Sequence, residues 1–270
     1  MSSFDGRLTI VGRGRAAEAL GPRWAAAGFE VVTWSRDDGP LGDTPHRSVI
    51  VLAVSDRAIR EVAETLATRT CARDELWLHL SGATPAAVLR VGQVPRAVGC
   101  LHPLVALAAG ADLRGAVAGI EGEPEAVPVA ETLARAVGLV PQAIPAERAL
   151  YHAAAVSVAG HATALFSQAM AMLEALGMPP DVARAALAPL LLSAAKNLAK
   201  GDPASVLTGP SARGDATTVR SHVAAIDTAF GPTSDAARTY RALSRTALGL
   251  VADRLTPDVV EALAAAITEP

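Results

Sequence analysis

Three small residues near the start of the chain have the spacing of a phosphate-binding turn. Gly12, Gly14 and Ala17 form the pattern Gly-x-Gly-x-x-Ala directly after the apolar run 8–11. Gly12 permits a tight turn, Gly14 lets the backbone approach a pyrophosphate, and Ala17 lets the following helix lie close to the strand. The first N–H groups of that helix and its dipole favour bound phosphate. The pattern predicts dinucleotide binding, and the alternative is a purely structural turn.

The end of the next predicted strand indicates which dinucleotide is bound. Residues 29–34 are rich in β-branched and aromatic types, which is typical of a strand, and they lead into Ser35 and Arg36. An acidic residue at this place binds the ribose 2′-hydroxyl of NAD, whereas an arginine suits the 2′-phosphate of NADP. Ser35 and Arg36 therefore predict NADP. Asp37 and Asp38 leave NAD open, because a shift of one residue would place a carboxylate on the ribose.

Two more predicted strands, 48–54 and 76–80, end in small polar residues. Ligands of open α/β sheets bind beyond the carboxyl ends of the strands. The first of these ends is predicted to face the ribose and the second the nicotinamide. Two arginines in the first turn are predicted as further phosphate ligands. The predicted cofactor ligands are Gly12, Arg13, Gly14, Arg15, Ala16, Ser35, Arg36, Ala53, Val54, Ser55, Ser81 and Gly82.

A loop in the second half of the chain has the composition of a substrate pocket. Residues 207–218 combine glycine and proline with hydroxyls, Arg213 and Asp215, and a helix is predicted from about Asp215. Arg213 can clamp a substrate carboxylate, with Asp215 or Thr217 to orient it. His102, after another strand, can close the pocket from the sheet side. The structural alternative is a well-capped loop between helices, with Asp215 as the N-cap.

These residues are held by two kinds of architecture. With 270 residues the chain is long enough for two domains. Strands and helices alternate through the first half, which predicts an α/β domain with a Rossmann-type doubly wound sheet over residues 1–146. Residues 147–270 predict an all-α domain. The net charge of −3 argues against nucleic acid as a partner, and two cysteines without paired spacing argue against a metal site.

The first predicted helix of the second half, 147–176, has no Asp, Glu, Lys or Arg between residues 152 and 173. A stretch of that length is nominally a membrane-span candidate. It consists largely of Ala, Ser and Thr, however, and a helix without charge is equally suited to the centre of a helical domain or a dimer. We expect a buried core helix. No signal peptide is recognised, so a cytoplasmic location is expected.

The order of motifs resembles one family of bacterial proteins, with a Rossmann-like domain followed by a helical domain of unknown function. The resemblance rests on the glycine turn and on residues 52–56, 79–83, 101–104, 151–155 and 208–215. These proteins are similar to deazaflavin:NADP oxidoreductase, pyrroline-5-carboxylate reductase and ketopantoate reductase. The resemblance implies NADP binding, an active site between the domains and a helical domain that commonly dimerises.

The same resemblance implies where a proton donor lies. Related dehydrogenases take it from the start of the first helix of the second domain, where this chain has His152, with His161 nine residues on. Nine residues turn a helix by about 900°, so the two histidines lie on opposite faces and at most one faces a cleft. His152 is the preferred donor, because histidine titrates near neutrality. Each histidine can instead be a hydrogen-bonded core residue.

The sequence thus predicts an NADP-dependent oxidoreductase that acts on a small, anionic carbonyl or imine substrate and forms a homodimer. His152, Arg213 and Asp215 are the predicted catalytic residues, and His102, Thr217 and His161 are predicted to bind substrate. Two other functions stay open. One is an NADP-binding sensor or regulatory protein without turnover. The other is a membrane-associated protein, which a chain that is freely soluble without detergent would exclude.

Overall fold

The computed structural model describes residues 5–42, 47–69, 75–92, 96–108 and 110–268. The chain divides into two compact units, residues 1–159 and 160–270. The division falls within one long helix, Arg148–Glu174. The predicted domain boundary between residues 146 and 147 stays a prediction.

The first unit is built on a sheet whose strands follow the predicted runs. Among the described residues it has seven strands in the order β2-β1-β3-β4-β5-β6-β7. Neighbouring strands are parallel except β5 and β6, which are antiparallel. The predicted α/β class with a Rossmann-type sheet is confirmed. The strands are β1 Arg7–Val11, β2 Glu30–Trp34, β3 Val49–Leu52, β4 Leu76–His79, β5 Val98–Pro103, β6 Val117–Gly122 and β7 Val140–Ala143.

Helices cover both faces of this sheet, which is why its central strands are apolar throughout. All four residues of β3 are buried, as expected where a parallel sheet is covered on both sides. Alternate residues face opposite ways, so that Val51 packs with Trp24 whereas Ile50 packs with Trp77. The helices of this unit are α1 Arg15–Ala26, α2 Ile59–Leu66 and α3 Ala126–Ala136.

The second unit is helical, as predicted. Its small core joins helices far apart in sequence through Val219, Leu248 and Leu263. A four-residue helix that the sequence analysis missed begins after Asp202, whose carboxylate accepts from the N–H groups of Ala204 and Ser205. After α4, Arg148–Glu174, the helices are α5 Pro180–Leu198, α6 Pro203–Val206, α7 Ala216–Phe230, α8 Asp235–Val251 and α9 Pro257–Ile267.

Helix α4 corrects one expectation. It forms where predicted, but it contains no buried residue, and Leu150 and Val158 are 72% and 80% exposed. The prediction of a buried core helix was wrong for the single chain. A helix without charged residues has a surface that favours burial, but its sequence does not show whether its own chain, a partner or lipid covers that surface. With 27 residues and an 18-residue stretch of mean hydropathy 1.2, α4 also has the length and composition of a membrane span, although one such helix is weak evidence.

Candidate functional site

The glycine turn after β1 has the geometry that a bound pyrophosphate needs. Gly12 has φ of +121°, and a Cβ atom there would lie 2.5 Å from the Ala53 carbonyl oxygen. Only glycine fits this position without strain. Gly14 is the N-cap of α1, and a Cβ atom added to it would meet nothing within 4 Å. No side chain of the described residues caps α1, so its first N–H groups are available to an anion.

A cavity of about 780 Å³ lies beside this turn, at the carboxyl ends of β1, β2 and β3. Its size suits a nucleotide-sized ligand. Arg15 and Ala16 belong to the first turn of α1, and Ser81 and Gly82 follow β4. The predicted cofactor ligands that line the cavity are Gly12, Arg13, Gly14, Ser35, Arg36, Ala53, Val54 and Ser55.

Among the described residues, three arginines and two carboxylates line the cavity: Arg13, Arg36, Arg57, Asp37 and Glu61. The Asp38 carboxylate accepts from the Ser35 N–H at 2.8 Å and from the Arg13 guanidinium at 2.6 Å. The Ser35 backbone bond, together with Arg13, holds the pKa of Asp38 below its ordinary value. This carboxylate is therefore held in its own turn, whereas Arg36 and Arg57 line the cavity. Arg57 was missed by the sequence analysis, although it follows β3 closely.

A second group of polar residues gathers where β4 and β5 end. His102 Nδ1 and the Tyr151 hydroxyl, from α4, are 2.8 Å apart. Arg148, also on α4, donates to the Gly82 carbonyl oxygen at 3.0 Å and pairs with the Glu121 carboxylate. We name His102, Tyr151, Arg148 and Glu121 the strand-end cluster. It lies directly beside Gly82, where the sequence analysis placed the nicotinamide.

Two glycines make room for this cluster. A Cβ atom on Gly82 would overlap the His102 imidazole, and a Cβ atom on Gly119 would overlap the Tyr151 hydroxyl. Gly119 lies opposite His102 in the antiparallel pairing of β5 and β6. The histidine and the tyrosine therefore each occupy a space that a larger residue would fill. The sequence analysis noted the Tyr151–His152 motif but assigned no role to Tyr151.

Burial sets the protonation of these groups. It lowers the pKa of His79 and of His102 to about 4, and the neighbouring His152 contributes to the shift at His102. Burial also raises the pKa of Tyr151 to about 12. At neutral pH His79 and His102 are therefore uncharged and the Tyr151 phenol keeps its proton. The His152 ring centroid lies 6.0 Å from that of His102.

The remaining predicted site residues belong to the second unit. Asp215 is the N-cap of α7, and its carboxylate accepts from the Thr218 N–H at 3.0 Å and from the Thr218 hydroxyl at 2.6 Å. Arg213, Thr217 and His161 are exposed. The catalytic and substrate-binding roles of these four residues stay predictions, as does that of His152.

The described residues hold no cluster of ligands for a metal ion. Buried Cys100 donates its thiol to the Ser81 carbonyl oxygen, and burial raises its pKa to about 11. Cys71 lies outside the described residues.

Comparison with known proteins shows the kind of protein this is. Residues 116–247 match a protein-family model described as a domain of unknown function, DUF2520. The match covers just under half of the chain, and the resemblance to Rossmann-like proteins with a helical domain of unknown function is confirmed. No functionally curated protein matches the sequence.

Solved structures share the fold at low sequence identity. Bacteroides fragilis BF3122, named as a candidate NADP oxidoreductase, has a TM-score of 0.72 at 21% identity over 90% of this chain and 98% of that one. Thermotoga maritima protein TM1727 has a TM-score of 0.69 at 21% identity over 92% and 99%. A reductive aminase of Aspergillus terreus, solved with NADPH and ethyl levulinate, has a TM-score of 0.60 at 17% identity over 95% and 98%. These proteins share a Rossmann-type sheet followed by helices with this chain.

Proposed function

We propose that this protein is an NADP-dependent oxidoreductase that transfers a hydride to or from a small, anionic carbonyl or imine. One observation carries the proposal: a glycine turn and cavity suited to a dinucleotide lie on the same sheet edge as a cluster of proton-bearing side chains. Similar structures include a reductase solved with NADPH, which supports the same cofactor. Bound NADPH would supply the hydride.

The residues at the cavity favour NADP over NAD. Arg36 follows β2, where the adenosine ribose lies in this kind of sheet, and Arg57 lines the same cavity. Of the two carboxylates that could select NAD, Asp38 already accepts from Ser35 and Arg13, whereas Asp37 lines the cavity. Ser35, Arg36 and Arg57 are therefore the proposed ligands of the 2′-phosphate.

The substrate is proposed to be anionic because Arg213 is an exposed guanidinium near the N-cap of α7. A guanidinium binds a carboxylate through two parallel hydrogen bonds. Asp215 or Thr217 is proposed to orient Arg213. One of the two histidines of α4, His152 or His161, is proposed to contact the substrate, since they lie on opposite faces of the helix. A site between the two domains belongs to the same proposal.

We further propose a homodimer whose interface is formed by the helical domain, because α4 and α5 expose large apolar side chains. Leu176, after α4, is 83% exposed, and Leu190 on α5 is 67% exposed. Isolated exposed leucines are common, whereas several on neighbouring helices are typical of an interface. A cytoplasmic location is proposed with this function, since its cofactor and substrate are small soluble molecules.

The cofactor proposal is tested by titrating the protein with NADPH and NADH while nicotinamide fluorescence is followed. We expect NADPH to bind more tightly, and Arg36→Ala to weaken NADPH roughly tenfold or more while NADH changes little, because one charge-assisted contact contributes about 1.5–3 kcal/mol. Arg60→Ala is the matched control, because Arg60 pairs with Glu64 on the surface of α2.

Three results are informative. Equal affinity for both nucleotides would contradict the role of Arg36. No binding of either would overturn the oxidoreductase proposal. Tight NADPH binding without turnover of any keto acid or cyclic imine would favour a sensor or regulatory protein.

A further inference from the structure

We propose that Tyr151 donates the proton in the reduction and that His102 positions its hydroxyl and restores its proton. This inference rests on the proposed function and names a catalytic residue and a positioning residue within it. It starts from the 2.8 Å contact between His102 Nδ1 and the Tyr151 hydroxyl.

The position of the pair fits the reacting end of the cofactor. His102 lies near the carboxyl end of β5, and its ring packs against Gly82, which follows β4. The nucleotide cavity is at the carboxyl ends of β1, β2 and β3, so the pair lies farther along the same edge. In a sheet of this order a dinucleotide extends across the carboxyl ends of the strands. The nicotinamide would therefore lie beside Gly82 and the Tyr151 hydroxyl.

The surrounding residues hold His102 and Tyr151 in a fixed position. Gly82 and Gly119 leave the space that the imidazole and the phenol occupy. One turn before Tyr151 on α4, Arg148 is fixed by the Gly82 carbonyl oxygen and the Glu121 carboxylate. These contacts tie the start of α4 to the ends of β4 and β6. A donor needs such fixed geometry, because proton transfer requires hydrogen-bond distance to the reacting atom.

Protonation assigns the roles within the pair. His102 is uncharged at neutral pH, because burial keeps its pKa near 4, so it cannot act as a cationic acid. The Tyr151 phenol keeps its proton until far above neutrality. With His102 as the Nδ1–H tautomer, the imidazole donates to the phenol oxygen, and the phenol proton then points to the substrate.

The step balances. Bound NADPH would supply the hydride for the new C–H bond, while the π electrons of the C=O or C=N bond move to the heteroatom. The Tyr151 O–H bond breaks as its proton forms the new O–H or N–H bond. The resulting phenolate takes the Nδ1 proton of His102 while Nε2 takes a proton from solvent water, which leaves hydroxide. Proton exchange with solvent then returns the imidazole to its Nδ1–H tautomer. The products are the alcohol or amine and the oxidised nicotinamide.

The chain supplies its own control for a test. It contains two tyrosines, and Tyr240 also lies 2.8 Å from a histidine Nδ1, that of His222. Both partners of that pair are in the second unit. Tyrosine labelled with ¹³C at Cζ gives one NMR signal per residue, and Tyr240→Phe assigns them.

We expect saturating NADP⁺ to shift the Tyr151 signal more than NADPH does, because the oxidised ring is cationic, and to leave the Tyr240 signal unchanged. If fluorescence shows that NADPH binds and the Tyr151 NMR signal does not shift with either nucleotide, the inference is overturned and the proposed function stands. Absence of nucleotide binding would overturn both.

Kinetics provide the second arm once a keto acid or cyclic imine is turned over. We expect Tyr151→Phe to lower kcat by about 10²- to 10⁴-fold, the usual contribution of a positioned acid, while the affinity for NADPH stays within about twofold. Tyr240→Phe should retain wild-type kcat. His102→Gln should lower kcat less than Tyr151→Phe does. It should also change how kcat depends on pH. A Tyr151→Phe enzyme within threefold of wild type, with His152→Gln inactive, would assign the proton to His152 instead.

Discussion

At the scale of single residues, burial decides what the histidines of this protein can do. His79 is fully buried at the end of β4, and its Nδ1 accepts from the Ser81 N–H at 3.1 Å. An imidazole in this position is costly to protonate, because its charged form loses hydration. His79 therefore links the stability of the first unit to pH.

Stability should fall in acid because of His79. Its pKa is 6.5 in the unfolded chain and about 4 in the folded one, so its contribution is fully present above pH 6.5 and is lost as the pH falls towards 4. At pH 5 the loss is about 2 kcal/mol. Urea denaturation at pH 7.5 and pH 5 measures it.

We expect His79→Asn to show a smaller acid loss than wild type. The exposed His161→Asn should behave as wild type. Equal acid losses in all three proteins would show that His79 is protonated in the folded state without cost.

A residue's environment can be predicted from the sequence when its contacts are to residues nearby in the chain. The turn around Gly12 and Gly14 was readable from the sequence, because its requirements lie within one strand–turn–helix unit. The contact between His102 and Tyr151 spans 49 positions and depends on the antiparallel pairing of β5 and β6. No local pattern contains that contact, so the sequence analysis found both residues and missed their pairing.

At the scale of elements, Asp215 has an evident structural role. Its carboxylate caps α7 through the Thr218 N–H and also accepts from the Thr218 hydroxyl. These bonds lower the pKa of Asp215, so the cap is charged at neutral pH. The sequence analysis predicted both the cap and a catalytic role, and the two can be separated by substitution.

We expect Asp215→Ala to lower Tm by about 2 to 4 °C, which is typical for the loss of an N-cap in a chain of this size. Asp215→Asn should retain most of the stability, because asparagine also caps helices. Thermal denaturation measures both. If Asp215→Asn is stable but loses turnover, the carboxylate also has a catalytic role. An unchanged Tm for Asp215→Ala would show that the N-cap does not stabilise α7.

Most elements were predictable because their signals are strong. Strand β3 is a continuous apolar run, and α7 begins at an N-cap residue. The environment of α4 was not predictable, because a helix without charges is compatible with burial in its own chain, in a partner or in a lipid bilayer. The antiparallel direction of β6 likewise depends on tertiary pairing and not on its composition.

At the scale of the whole molecule, the exposed apolar residues of α4 and α5 are the surface that the proposed homodimer would cover. Val158 lies in the middle of α4 and is 80% exposed. A glutamate there would be buried without a partner in a dimer that covers α4, and burial of an unpaired charge is strongly unfavourable.

We expect wild type to be a dimer by light scattering coupled to size exclusion, and Val158→Glu to be largely monomeric at micromolar concentration. Val32→Glu is the control, because Val32 is 54% exposed but lies on β2 and not on α4 or α5. A monomeric wild-type protein would contradict the proposed homodimer. A protein that stays in solution only with detergent would favour a membrane role for α4.

The distribution of indole rings has a practical consequence. The three tryptophans are Trp24, Trp34 and Trp77, all in the first unit. Trp24 and Trp77 are fully buried on opposite faces of the sheet, while Trp34 lines the nucleotide cavity. Tryptophan emission, excited selectively, therefore reports only the melting of the sheet unit, whereas far-ultraviolet circular dichroism also records the helical unit. A difference between the two melting curves would measure how far the two units unfold independently.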